Sequence, residues 1–292
     1  MKYFALVVVL TCAILCPDSG KAQGAKKRKS SISSGSGVIN QWWIGVRGGV
    51  NASTANVSQS YHIFSYSGAV TAGDNTKKYE SYSLPGLQFG FSVSYEFVRS
   101  LSINVLPMYA SYRFEYGNAY RWTDPENPDK RVTNNYNFET RLQYVLLPMT
   151  IKYELTKSRL KPYVQVGAYY GLLTDAIKKV KLTSVDQASG ADTEIKVTDL
   201  SVSIDDRTQK NNYGIIGGAG FTYNLGNARL GLELNYHYGL QNLDNPSMKY
   251  ADNQLITGTY DVPDDYSLQN LEISFQVIMP MKFIGSKDYA PL

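Results

Sequence analysis

His237 is one of two histidines in 292 residues, and Glu233 stands four positions before it in RLGLELNYHYGL (229 to 240). In an extended strand that spacing puts both side chains on one face, where a carboxylate could orient an imidazole as a general base. A lipid-active hydrolase or acyltransferase is the chemistry such a pair would serve, but no GxSxG or HExxH pattern accompanies it. By the same alternation, Arg47, Glu96, Lys152, Arg229, Glu272 and Lys282 fall on the polar faces of other segments. Charges gathered in a space that is not bulk water are expected to pair. These eight residues therefore predict first an internal ion-pair and hydrogen-bond network, then a narrow selective pore, and last a catalytic constellation.

Other chemistry finds little support. Both cysteines, Cys12 and Cys16, lie in the N-terminal leader, so the chain after it has no thiolate for catalysis, disulfides or metal. His62 stands alone in a long connection. The segment 173 to 211 mixes Asp175, Asp186, Asp192, Glu194, Asp199, Asp205 and Asp206 with Lys178, Lys179, Lys181, Lys196 and Lys210. Asp205 and Asp206 lack the spaced oxygen ligands and glycine turn of a calcium loop, so this stretch reads as an exposed mixed-charge surface. No metal and no cofactor is implied. With 29 basic and 25 acidic residues the net charge of +4 is too mild to argue for nucleic acid.

The elements that must carry the polar faces are strands. With 24 Tyr and 24 Gly, the composition favours aromatic-rich strands and tight turns over helices. Eight period-two segments follow one another at about 41–51, 87–97, 101–116, 138–154, 161–172, 212–225, 229–239 and 268–283. The cleanest sets Leu87, Phe89, Phe91, Val93, Tyr95 and Phe97 against Gln88, Gly90, Ser92, Ser94 and Glu96. Pro107 cannot donate to a ladder, so a bulge or a parity slip is expected there.

Connections alternate strictly: long at 52–86, 117–137, 173–211 and 240–267, short at Arg99-Ser100, 155–160 and Gly226-Asn227. Gly226 and Asn227 both tolerate the positive φ of a two-residue hairpin turn. The stretches KVKLTSVD and EIKVTDLSVSI inside 173–211 also alternate and predict a hairpin beyond the membrane. A sandwich has no reason to sort its loops by length, whereas an outer-membrane barrel has short periplasmic turns and long extracellular loops. The expected fold is thus all-β, an eight-stranded antiparallel transmembrane β-barrel, with its greasy parity facing lipid and its polar parity facing the lumen. Tyr95, Phe97, Tyr153, Tyr223, Phe283 and Trp42 gather on the outward parity at the short-turn end, as an interfacial aromatic belt would.

Residues 1–22 have a basic Lys2, an apolar run from Phe4 to Cys16, and Gly20 and Ala22 placed for cleavage after Ala22, the layout of a secretory signal peptide. The competing lipoprotein reading, with Cys16 as anchor, meets Leu15 where a small residue is needed. A flexible tail at 23–40, the barrel at 41–284 and a C-terminal tail at 285–292 complete the expected organisation.

Several segments carry a family resemblance: VRGGVNAS (46–53), LPMYASY (106–112), LQYVLLPMTIKYEL (142–155), KPYVQVGAYYGLL (161–173), YGIIGGAGFTYNL (213–225) and LELNYHYGLQNLDN (232–245). Together they resemble successive strands of PorT-type outer-membrane barrels of Bacteroidota, over about residues 41–283. One departure is Leu146, where the family often has an acidic residue before the proline. The resemblance implies an outer-membrane location and, for some relatives, a link to type IX protein secretion; it supplies no catalytic residue. The partners to expect are outer-membrane lipid and envelope or secretion-machinery proteins meeting the external loops. A narrow porin-like channel and a lipid-active enzyme remain the alternatives.

Overall fold

The structure, a computed structural model, describes residues 38–61, 77–98, 100–124, 126–127, 129–156, 158–188, 193–196, 199–251 and 254–281. The leader, His62, Lys282, Phe283 and the C-terminal tail lie outside the described residues. In chain order the strands are β1 (Val38–Gln59), β2 (Lys78–Glu80), β3 (Pro85–Val98), β4 (Leu101–Val105), β5 (Met108–Thr123), β6 (Arg131–Glu154), β7 (Leu160–Asp186), β8 (Thr193–Lys196), β9 (Leu200–Ser203), β10 (Asn211–Asn224), β11 (Arg229–Gly239) and β12 (Asp265–Pro280). A 3-10 turn at Pro246–Met248 and a short helix, α1 (Gln254–Thr259), precede β12.

Antiparallel pairing runs from β1 through β3, the β4/β5 pair, β6, β7, β10, β11 and β12, and returns to β1. Eight wall strands thus pair in a ring, which satisfies backbone groups where lipid offers no partner. Pro107 produces neither bulge nor slip. Val93 pairs with Val105 and Gly90 with Met108, a single register across the interruption. The proline removes a donor, but Phe91 N still donates to Pro107 O at 2.8 Å and Leu106 N to Pro148 O at 2.9 Å.

At the short turns, Leu225 N donates to Ala228 O at 2.8 Å. Gly226 alone of the two central residues has positive φ, at +85°, as a type II′ turn requires at its first position. At the other end the strands run farther than their period suggests. Most of 117–137 is not loop but the continuation of β5 and β6, and β1 begins at Val38, inside the expected tail. β2 pairs with β5, while β8 and β9 pair with β7, beyond the ring.

The face that each strand buries changes with height. On β6 the even positions face inward throughout. Near the short turns these are Thr150, Lys152 and Glu154, and the outward partners Val145, Leu147, Met149, Ile151 and Tyr153 are exposed. Toward the long loops the inward residues become Tyr136, Phe138, Leu142, Tyr144 and Leu146, while Asn137, Glu139, Arg141 and Gln143 face outward. β5 and β12 do the same, with Tyr112, Phe114, Tyr116, Tyr266 and Leu268 buried. The greasy face therefore points out where lipid surrounds the wall and in where water does. From Val145 to Leu155 the apolar band spans roughly 33 Å along the strand, about 25 Å along the membrane normal at the usual tilt. A second outward aromatic set, Tyr109, Tyr170, Tyr213 and Tyr236, lies at the upper edge of the band, so the belt is not confined to the short-turn end.

Candidate functional site

The middle of the lumen is built around Arg47 of β1. Its guanidinium contacts Glu272 of β12 closely, Ser274 Oγ at 2.7 Å and Glu233 of β11 at 3.3 Å. Gln276 Nε2 donates to Glu233 Oε1 at 2.6 Å, and Asn235 Nδ2 bridges Glu233 and Glu272 at 3.2 Å each. Gln165 of β7 donates to Asn235 Oδ1 at 2.6 Å. Two carboxylates thus share one guanidinium, and amides, Ser274 and His237 occupy their remaining lone pairs, which is what burial of such charges requires. Glycines make room for it: a Cβ on Gly218 of β10 would lie 2.1 Å from Asn235 Oδ1.

His237 donates through Nε2 to Glu272 Oε2 at 2.8 Å, not to Glu233. Four residues along one strand span roughly 13 Å, too far for contact. The adjacent β12 instead brings Glu272 diagonally opposite, since Asn235 pairs with Glu272 and His237 with Asn270. His237 is 1% exposed. The expected base and orienting carboxylate are therefore not joined, and the imidazole is sealed from lipid.

A second cluster closes the short-turn end. Arg229 of β11 lies 3.1 Å from Glu96 of β3 and 3.8 Å from Glu154 of β6, and its guanidinium stacks 3.7 Å from the Trp43 ring. Trp43 Nε1 donates to Glu96 at 3.2 Å, and Lys161 pairs with Glu154 at 2.6 Å. Lys152 differs from its neighbours: among the described residues no carboxylate lies within ion-pair distance, and its ammonium meets Thr222 Oγ1 at 3.0 Å and the Tyr163 ring at 3.8 Å. Of the eight residues expected in the lumen, seven are described and face inward, in two clusters rather than one; Lys282 lies outside the described residues.

Above these layers the interior is aromatic. Tyr116 stacks on Phe138 at 4.8 Å and Phe114 meets Tyr266 edge-on at 5.4 Å, beside fully buried Tyr112, Tyr144, Leu142 and Leu146. Leu146, the departure from the family pattern, packs in this layer.

The mouth is closed by residues from two long connections. Lys77, just before β2, pairs with Asp264 at 2.9 Å and Asp261 at 3.3 Å, and Lys178 of β7 pairs with Asp261 at 2.8 Å. Tyr116 donates to Asp261 at 2.7 Å and Tyr79 to Asp264 at 2.7 Å. Burial disfavours the Asp261 carboxylate, but the charges of Lys178 and Lys77 and the hydrogen bonds from Lys178 and Tyr116 outweigh it and hold its pKa well below the usual 3.8. Leu255 of α1 and Val262 are buried beneath the same cap.

The sequence reading missed several of these groups for identifiable reasons. Glu154 continues the parity of Thr150 and Lys152, so extending the alternation by one step would have found it. Lys178 was assigned to an exposed surface because 173–211 was read as a connection; β7 in fact runs on through it, with a bulge at Thr174, where Tyr144 pairs with Leu173 but Gln143 with Asp175, that reverses its parity. Lys77, Asp261 and Asp264 sit in connections with no period to read.

Inward side chains at every level, from Glu96 and Thr222 through Asn235 and Leu146 to Asp261, are buried.

Residues 21–245 match the family described as outer membrane protein beta-barrel domain. Among solved structures, the chain is similar to OprG from Pseudomonas aeruginosa (15% identity, 83% of this chain and 98% of that one, TM-score 0.38). It is also similar to Neisserial surface protein A (13%, 81% and 96%, TM-score 0.34) and to Ail, the attachment invasion locus protein of Yersinia pestis (9%, 82% and 100%, TM-score 0.29). No curated protein matches it. The family match covers most of the chain, and the ring of strands with its outward apolar band is the architecture that match requires: the chain belongs to the outer membrane protein beta-barrel domain family and resides in the outer membrane.

Proposed function

We propose that this chain is a non-enzymatic, closed outer-membrane barrel, a structural and interaction component whose external loops recognise envelope or secretion-machinery proteins. The observation that carries the reading is the double closure, a lumen filled by the Arg47 and Arg229 clusters and a mouth capped by Lys77, Lys178, Asp261 and Asp264. A filled barrel has no use for long loops as a vestibule, which leaves their outer surface to act. The resemblance to PorT-type barrels narrows the proposal to support of type IX protein secretion.

A porin-like channel is the weaker reading because it needs a path that the buried lumen withholds. The enzymatic reading needs an accessible base, and His237 is enclosed.

The test pairs two measurements. Photo-crosslinking residues placed at Tyr250 and Ile195, 69% and 51% exposed, should capture a defined envelope protein in intact cells. Removing the gene should then diminish export of type IX cargo. Unchanged export would overturn the secretion role, and absence of any specific crosslink at either site would count against the interaction role.

A further inference from the structure

We propose that a cleft on the outward face of β5, β6 and β7, just above the apolar band, binds the phosphate of a phosphorylated outer-leaflet lipid. The cleft, of about 320 Å³, is lined among others by Leu87, Arg113, Glu139, Arg141, Ile177 and Lys179. Its lining holds three cations and one carboxylate, and a second carboxylate, Asp175, stands beside Arg141. Arg113 and Arg141 stand directly opposite each other on paired strands. Like charges in that position repel, and an anion between them removes the repulsion.

The two arginines are not equally engaged. Arg113 is held by Glu139 through Nε at 3.1 Å and Nη2 at 2.7 Å, and donates to Pro85 O at 3.3 Å. Arg141 has Asp175 only at 3.8 Å, and its Nε is buried with no hydrogen-bond partner. A guanidinium with unspent donors, set beside a fixed one, is suited to bidentate phosphate recognition.

Height selects the source of the phosphate. Arg141 stands four residues above Val145, the top of the lipid-facing run of β6, roughly 13 Å along the strand and about 10 Å along the normal. That is just outside a headgroup layer of roughly 5–8 Å, and the long arginine side chain can reach back down into it. The lower lip, Leu87, is 68% exposed and continues into Phe89 and Phe91 of the band, so an acyl chain can follow the wall while its headgroup meets the cations. A free phosphate would gain nothing from that lip.

The test titrates the full chain in detergent with lipid A carrying its phosphates, with the same lipid dephosphorylated, and with inorganic phosphate, read by native mass spectrometry. The phosphorylated lipid should bind at least about tenfold more tightly than the dephosphorylated one, and R141Q should remove about that factor. K196Q, a change at an exposed lysine of β8, should leave binding as it is. R141K should fall between, since it keeps the charge but loses the fork. If R141Q does not fold, as judged by loss of its heat-dependent gel shift, K179Q carries the same expectation. Equal binding of both lipids, or wild-type binding by the folded R141Q or K179Q, would overturn the site. Inorganic phosphate binding as tightly as the lipid would overturn its assignment to a lipid.

Discussion

The two halves of β6 obey one alternation and opposite environments. Around Met149 the apolar face looks out and Thr150, Lys152 and Glu154 look in; around Phe138 the aromatic residues look in and Glu139 and Arg141 look out. The strand does not change its parity. What changes is the solvent outside it, and with it the chemistry that must fill the inside. In the bilayer the hydrophobic drive sends apolar groups to the lipid, so the lumen is left to charges that have to neutralise one another. Above the bilayer, water outside restores the ordinary burial of apolar area, and the same lumen is filled by stacked rings.

The largest effect should come from unbalancing the membrane half. Arg47→Met leaves Glu233 and Glu272 facing each other without a cation and should destabilise the barrel by about 4 kcal/mol, read as urea unfolding in lipid vesicles. Adding E233Q and E272Q to it should recover most of the loss. If the single change is silent, the network is not what fills this half.

Next comes the inversion itself. Met149→Arg on the lipid-facing side should cost roughly 3 kcal/mol, whereas Gln143→Arg, six residues away on the same face of the same strand, should cost close to nothing. Equal penalties would mean that the boundary is misplaced.

The mouth should respond to acid. The folded pKa of Asp261 lies below its unfolded value, so its contribution is complete above about pH 4 and is lost as pH falls toward the folded value. Asp244, raised by burial against the pull of Lys249, works weakly in the opposite sense. Protease cleavage within 240–264 should therefore increase below about pH 4 in the wild type, and D261N should be susceptible already at neutral pH.

The smallest effect is expected at Lys152. With no carboxylate in ion-pair range among the described residues and an aromatic ring beside it, Lys152→Met should change stability by less than about 1 kcal/mol. Its contrast with Arg47→Met separates a charge that anchors a network from one that merely fills space.

Much of the membrane half was legible because a two-residue period and sorted loop lengths are both physical consequences of crossing a bilayer. Six of the residues singled out for the lumen are buried, and the side chain of Arg229 is 13% exposed. Their pairing was not legible, since Arg47 meets Glu272 across 225 positions and His237 meets Glu272 through the register of β11 on β12. The external half misled for a different reason. Tyr112, Phe114 and Phe138 alternate as cleanly as Phe89 and Phe91, and nothing local says that the medium outside them has become water. Lys178 was lost because 173–211 was read as a connection, and the inserted Thr174 reverses the parity that an extended β7 would have carried to it.

The central claim is that the barrel is closed, by paired charges below and by a capped aromatic core above. Purified wild-type protein in planar bilayers, with its heat-dependent gel shift verified beforehand, tests this directly. The account predicts a silent membrane at neutral pH and moderate voltage, and reproducible open steps of uniform size would contradict it.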